Sequence, residues 1–200
     1  MKKMIVLAAL AACGLGAVQA QESPWMVRLR ATNLDMANKT NTAALATVNV
    51  NDKTIPEVDV SYFFNKNVAA ELILTVPQKQ TVYAGSLALG TFKHLPPTLL
   101  AQYHFTDFNG FKPYVGAGIN YTKISKVNLA LGETPLSLDS HSWGTALQAG
   151  VDIPLDKNWS LNFDVKKIYI KTDVYADGAT NLGTLKLNPV AASVGLGYRF

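Results

Sequence analysis

Nine charged side chains recur at alternate positions inside otherwise apolar stretches: Arg28 and Arg30, Glu57 and Asp59, Glu71, Asp152, Asp164 and Lys166, and Arg199. Successive side chains of an extended chain point to opposite faces, so these charges fall on one face while Val, Leu, Ile and aromatic residues take the other. An unpaired buried charge is costly, whereas charges of both signs on one face can neutralise one another. The chemistry they imply is an ion-paired network, with Arg28 and Arg30 set against Glu57 and Asp59 and with Arg199 near the same base.

Catalysis has less to work with. His141, Ser142 and the nearby Asp139 could in principle form a hydrolase-like set. Adjacent residues of a strand face opposite ways, however, so His141 and Ser142 cannot readily share a proton. His94, just before Pro96-Pro97, reads as a capping or surface group in a loop. The three histidines show no metal-ligand spacing. Neither an enzyme, a metal nor a cofactor is expected.

The start of the chain says where these residues must work. Lys2 and Lys3, an apolar run from Met4 to Val18, and Ala20 before Gln21-Glu22-Ser23 make residues 1–20 a cleavable secretory signal, leaving 21–200 as one domain. Leu10-Ala11-Ala12-Cys13 has the form of a lipoprotein box, but Gly14 to Val18 stays apolar where a lipid tether is polar. Cys13 is the only cysteine, so the exported chain holds no disulfide. Without Lys2 and Lys3, 16 basic residues face 14 acidic ones, a formal charge of +2 that gives no reason to expect a nucleic-acid partner.

No later stretch is long and apolar enough for a spanning helix. Instead, strands are predicted at 25–32, 55–64, 68–76, 97–105, 112–124, 143–153, 159–174 and 185–200, nearly all with apolar residues on one face and polar ones on the other. Short turns fall at 65–67, 106–111 and 154–158, and longer connections between them. Segments 38–54 and 127–141 read as outer loops. Charges on one face and Leu29, Leu72, Tyr103 and Phe163 on the other invert a soluble barrel. The pattern therefore predicts an all-β, eight-stranded antiparallel transmembrane barrel with a wet interior, in the outer membrane of a Gram-negative bacterium. Trp25, Tyr62, Phe64, Tyr103, Phe105, Trp159, Tyr198 and Phe200 would ring the periplasmic interface, with Tyr121, Trp143 and Tyr169 as a thinner outer girdle. After Lys166-Lys167 the pattern of the seventh strand slips, placing Ile168 and Ile170 on the inward parity unless a bulge intervenes.

Particular strings resemble the OmpW family of small outer-membrane proteins: His94-Leu95-Pro96-Pro97-Thr98-Leu99-Leu100-Ala101-Gln102-Tyr103, then Pro113-Tyr114-Val115-Gly116-Ala117-Gly118-Ile119-Asn120-Tyr121-Thr122, then Ser142-Trp143-Gly144 with Gln148-Ala149-Gly150-Val151-Asp152, and the ending Gly197-Tyr198-Arg199-Phe200. The resemblance implies a narrow, partly apolar lumen that passes small hydrophobic compounds and releases them sideways through the barrel wall. Lys166 and Lys167 depart from it, putting charge where the upper lumen should be apolar.

Ile73 and Leu100 stand out as inward aliphatics on neighbouring strands, and with Ile168 and Ile170 they are expected to form an apolar constriction above the charged base. Packing filler is the plainer role for the same four. The alternative function is a plugged structural or receptor barrel acting through its outer loops. Expected partners are outer-membrane lipid, small hydrophobic solutes, and the barrel assembly machinery through the strand ending in Phe200.

Overall fold

The computed structural model describes residues 23–42, 45–106 and 108–200; the expected leader over residues 1–20, with Cys13, lies outside them. In chain order the strands are β1 (Trp25–Asp35), β2 (Lys39–Thr40), β3 (Val48–Val50), β4 (Lys53–Phe63), β5 (Val68–Thr75), β6 (Gln78–Ala84), β7 (Leu87–Leu95), β8 (Thr98–His104), β9 (Lys112–Leu131), β10 (Thr134–Leu138), β11 (His141–Pro154), β12 (Trp159–Ile168), β13 (Lys171–Ala176), β14 (Thr180–Lys186) and β15 (Val190–Arg199).

Eight of these close a barrel. Going round the wall, β1, β4, β5, β8, β9, β11, β12 and β15 are each antiparallel to the next, and β15 returns to β1. Burial alternates along them as the sequence demands: Arg28, Asp59 and Glu71 are fully buried, while Leu29, Phe64 and Trp143 on the other face are 61%, 67% and 62% exposed. Apolar side chains facing out at that level require a lipid solvent, and the closed ladder pairs the strand edges in it up to the outer ends of β5 and β8. The rings at the short-turn end pack edge to face, Trp25 on Tyr62 and Trp159 on Tyr198, each with centroids 4.9 Å apart. At the other end Tyr121 and Trp143 lie 4.9 Å apart.

Beyond that outer girdle the wall continues, in the order β3-β6-β7-β9-β10-β13-β14-β2. The loop expectations for 38–54 and 127–141 are therefore corrected: β2 and β3 lie in the first, and the end of β9 and all of β10 in the second. The seventh and eighth expected strands are each two strands, broken at residues 169–170 and 187–189, and the connection at 77–96 is mostly the β6–β7 hairpin. The physical reason is a change of solvent. Above the girdle Val82, Phe92, Leu129, Leu136, Val174 and Leu185 point inward and are buried, while lysines and polar residues point out, which is the pattern of a water-soluble barrel. The slip after Lys166-Lys167 is this same boundary. Parity never changes, since Lys166, Ile168 and Ile170 are all buried and inward; only the polarity of the inward set does.

Bulges in the outer extension do shift parity. Lys126 adopts φ 49°, beside an irregularity in the β7–β9 register, so that Ile124 below it and Leu129 above it both face in.

Candidate functional site

The lower lumen is filled by one connected ion-pair network. Cross-strand register already places Arg28 opposite Asp59 and Arg30 opposite Glu57 on β1 and β4. Arg28 reaches across the lumen to grip Asp152 with two donors, at 3.1 and 2.7 Å, and gives a third hydrogen bond to Ser61. Arg28 and Arg30 both contact Glu71 at 3.2 Å. Arg30 also meets Glu57 and Asp59, each at 3.1 Å, and donates to Asn162. Lys166 bridges Glu57 at 2.8 Å and Asp164 at 2.6 Å. Five carboxylates thus surround three cations, and Asp59 has ionic neighbours but no aligned hydrogen bond.

Two neutral groups complete the plug. The Tyr114 hydroxyl donates to Asp164 at 2.8 Å and accepts from Asn162, while the Gln148 amide donates to Glu71 and Asp164, both at 2.8 Å. Sequence reading did not single these out, although Tyr114 falls on the inward parity of β9 and sits opposite a glycine. A Cβ at Gly150 would lie 2.4 Å from the Tyr114 ring and hydroxyl, so that glycine is what lets the ring cross the lumen. Arg199 is at the periplasmic mouth, its guanidinium 4.3 Å from the Phe63 ring centroid and its Nε donating to the Ser23 carbonyl. Beneath the plug that mouth opens as a vestibule of ≈ 90 Å³ lined by Lys66, His104, Lys112, Asp152, Lys157 and Arg199.

Above the plug the lumen turns apolar. Ile73, Leu100, Ile168 and Ile170 fall in one buried cluster with Leu34, Ile55, Phe92, Ala146 and Ala191, which continues outward through Val82, Leu129, Val174 and Leu185. Lys166 points down into the plug, and Lys167 faces out and donates to the Asn188 carbonyl at 2.5 Å, so neither charge enters the apolar layer. At the outer end Leu45, Val82, Leu89, Leu129, Leu136 and Val174 are among the side chains around a cavity of ≈ 20 Å³, room for about one water molecule.

The wall beside the apolar layer is interrupted. The β5–β8 ladder ends at Ile73 and Thr98, and the β6–β7 ladder begins at Gln78 and His94. Pro77, Pro96 and Pro97 lie in the gap and bring no N–H to a ladder. Carbonyls there are met largely by side chains: Gln78 donates to Val76 O at 2.6 Å, Thr98 and Asn120 to Pro96 O at 3.1 and 3.3 Å, and Asn120 to Pro97 O at 3.2 Å beside the Tyr121 N–H at 3.1 Å. His94 is not the surface group expected of it. It is 1% exposed, faces inward on β7 beside Gln80, and burial, helped by Lys53, pushes its imidazole down to about 4. His141 is exposed and Ser142 buried on the opposite face, while Asp139 accepts from the Asp173 N–H and the Tyr175 hydroxyl, so these three side chains are not brought together.

This barrel can be set beside known proteins. The family model described as the OmpW family matches residues 16–200. The chain belongs to the OmpW family. Among OmpW-related chains it is similar to an uncharacterised outer-membrane protein, y4mB, of Sinorhizobium fredii, 42% identical with 92% of this chain and 82% of that protein covered. It is 34% identical to outer membrane protein W of Vibrio cholerae, with 97% of each covered. It is 28% identical to the dibenzothiophene metabolism operon protein PahQ of Pseudomonas aeruginosa, with 100% of this chain and 99% of that one covered. The crystal structure of outer membrane protein OprG from Pseudomonas aeruginosa superposes with a TM-score of 0.75 at 26% identity, covering 92% of this chain and 99% of that one. The protein is accordingly an outer-membrane β-barrel of a Gram-negative bacterium, surrounded by membrane lipid.

Proposed function

We propose that this OmpW-family barrel passes small hydrophobic molecules from the outer face into its apolar chamber and releases them sideways into the membrane. The observation that carries the reading is the stacking of an apolar layer on a fully ion-paired plug. A solute reaching Ile73, Leu100, Ile168 and Ile170 meets eight buried charged side chains and the amides of Gln148 and Asn162 on the straight path down, and an apolar molecule cannot displace that network without leaving charges unpaired. Leaving through the unpaired stretch between β5 and β8, beside residues 74–77 and 95–97, breaks no ladder hydrogen bond. The name of the relative PahQ refers to an operon for an apolar aromatic compound, which suits the same solute class. Insertion through the barrel assembly machinery, engaged by the last strand and Phe200, belongs to this reading.

The test is transfer of an apolar fluorophore from the aqueous phase into vesicle lipid by the refolded barrel. Wild-type protein is expected to accelerate transfer, and the Ile73→Ser/Leu100→Ser variant, still heat-shifted on gels as a folded barrel, to fall back towards protein-free lipid. Equal transfer by both would exclude the apolar layer from the route.

A further inference from the structure

Just above the outer aromatic girdle, the wall carries a row of lysines that have no ion-pair partner among the described residues. Lys171 on β13 is the register partner of Lys186 on β14, and Lys186 is the partner of Lys39 on β2. All three are exposed on the outward face, since their strand neighbours Thr172 and Leu185 are buried inside. Like charges directly opposite one another weaken a sheet, and here two such pairs share their middle residue. Among the described residues, none of the three pairs with a carboxylate.

The row borders an open crevice of ≈ 570 Å³ lined by Lys171, Lys186, His141 and Trp143, among others. Lys123, the register partner of His141, extends the positive edge on β9. Two carboxylates share the crevice and keep their charge: Asp139 accepts from the Asp173 N–H at 3.1 Å and the Tyr175 hydroxyl at 3.4 Å, and Asp173 accepts from the Thr184 hydroxyl at 2.6 Å, bonds that turn their oxygens away from ion pairing with the row, in which, with Lys123, four lysines outnumber the two acids.

Depth identifies the occupant. Lys171 stands one pleat above Tyr169, and the Lys123–His141 pair one pleat above Tyr121–Trp143. One pleat is about 7 Å along a strand, which lifts the ammonium groups from the edge of the hydrocarbon into the head-group layer of the outer leaflet. A positive cluster in contact with the lipid surface at that depth meets lipid phosphate. We propose that the Lys39–Lys186–Lys171 row and its crevice seat the phosphorylated head group of an outer-leaflet glycolipid, with Trp143 packed beneath it.

The test uses native mass spectrometry of the folded barrel in neutral micelles containing a diphosphorylated glycolipid or the same lipid after dephosphorylation. Three proteins are compared: wild type, Lys39→Gln/Lys171→Gln/Lys186→Gln, and the charge-matched Lys66→Gln/Lys112→Gln/Lys157→Gln at the opposite end. Removing the outer row relieves like-charge contacts, so that variant is expected to fold. Each lysine near an anionic lipid surface contributes roughly a fivefold factor in affinity, so retention of the diphosphorylated lipid should fall on the order of 100-fold in the outer variant and hold in the control. Retention unchanged in the outer variant, equal loss in both variants, or equal retention of the dephosphorylated lipid would each overturn the assignment. Displacement by millimolar inorganic phosphate would overturn it in favour of a soluble anion.

Discussion

At the scale of single residues the plug is defined by unequal roles among its acids. Glu71 contacts both arginines and accepts from Gln148, whereas Asp59 sits in the same cluster with no aligned hydrogen bond. Asp59→Asn, which removes one of five carboxylates facing three cations, should shift the urea unfolding free energy by less than about 1 kcal/mol, while Arg30→Met, which leaves five buried carboxylates to two cations, with Glu57 held by Lys166 alone and Asp59 by Arg28 at 3.6 Å, should cost about 3–5 kcal/mol. His94 supplies a pH signature outside the membrane. Its imidazole is held neutral at about 4 when folded against 6.5 for the free side chain, so the unfolded chain takes up the proton first, and its contribution to stability is lost as pH falls from about 6.5 towards 4. Unfolding midpoints measured across that window should decline more steeply for wild type than for His94→Gln. Residue facing in the lower half was legible in sequence: Arg28, Glu57, Glu71, Asp152, Asp164 and Lys166 were all placed inward by alternation alone. Tyr114 was not recognised as a hub, because its importance depends on Gly150 across the lumen, a pairing that no local pattern reports. His94 was misread because a following proline pair suggests a loop, when the prolines in fact break a ladder between two strands.

At the scale of elements, the interrupted wall between β5 and β8 is the feature that needs explaining, since unpaired backbone groups near lipid are expensive. Gln78 and Asn120 answer that cost by donating to the carbonyls of Val76, Pro96 and Pro97. Replacing Gln78 by Leu should lower stability by about 1–3 kcal/mol through the stranded Val76 carbonyl, detectable as a shift in denaturant midpoint, with a larger effect than Asn120→Leu, after which Pro96 O keeps the Thr98 hydroxyl and Pro97 O the Tyr121 N–H. The elements themselves divide at the girdle in how far sequence revealed them. Below it, lipid outside and charge inside give every strand an apolar outward face, and the eight barrel strands could be read directly. Above it, water outside and apolar packing inside reverse the code, so β6, β7, β10, β13 and β14 were hidden to a reading that sought apolar residues facing out.

The described molecule is one wall of two stacked sections with opposite polarity: a closed membrane barrel wet within, and an outer extension apolar within. Their junction, at Ile73, Leu100, Ile168 and Ile170, is where the apolar layer and an unpaired stretch of wall come together. Ions entering from either side meet either the apolar layer or the filled plug, so transport of apolar solutes and conduction of ions should be separable in one protein. The decisive measurement records ion current and apolar fluorophore transfer on the same planar bilayer holding the refolded barrel. The expected result is fluorophore transfer without steady ion current. Steady ohmic current that the fluorophore blocks would contradict it, by showing that the plug is open and that the solute travels along the barrel axis.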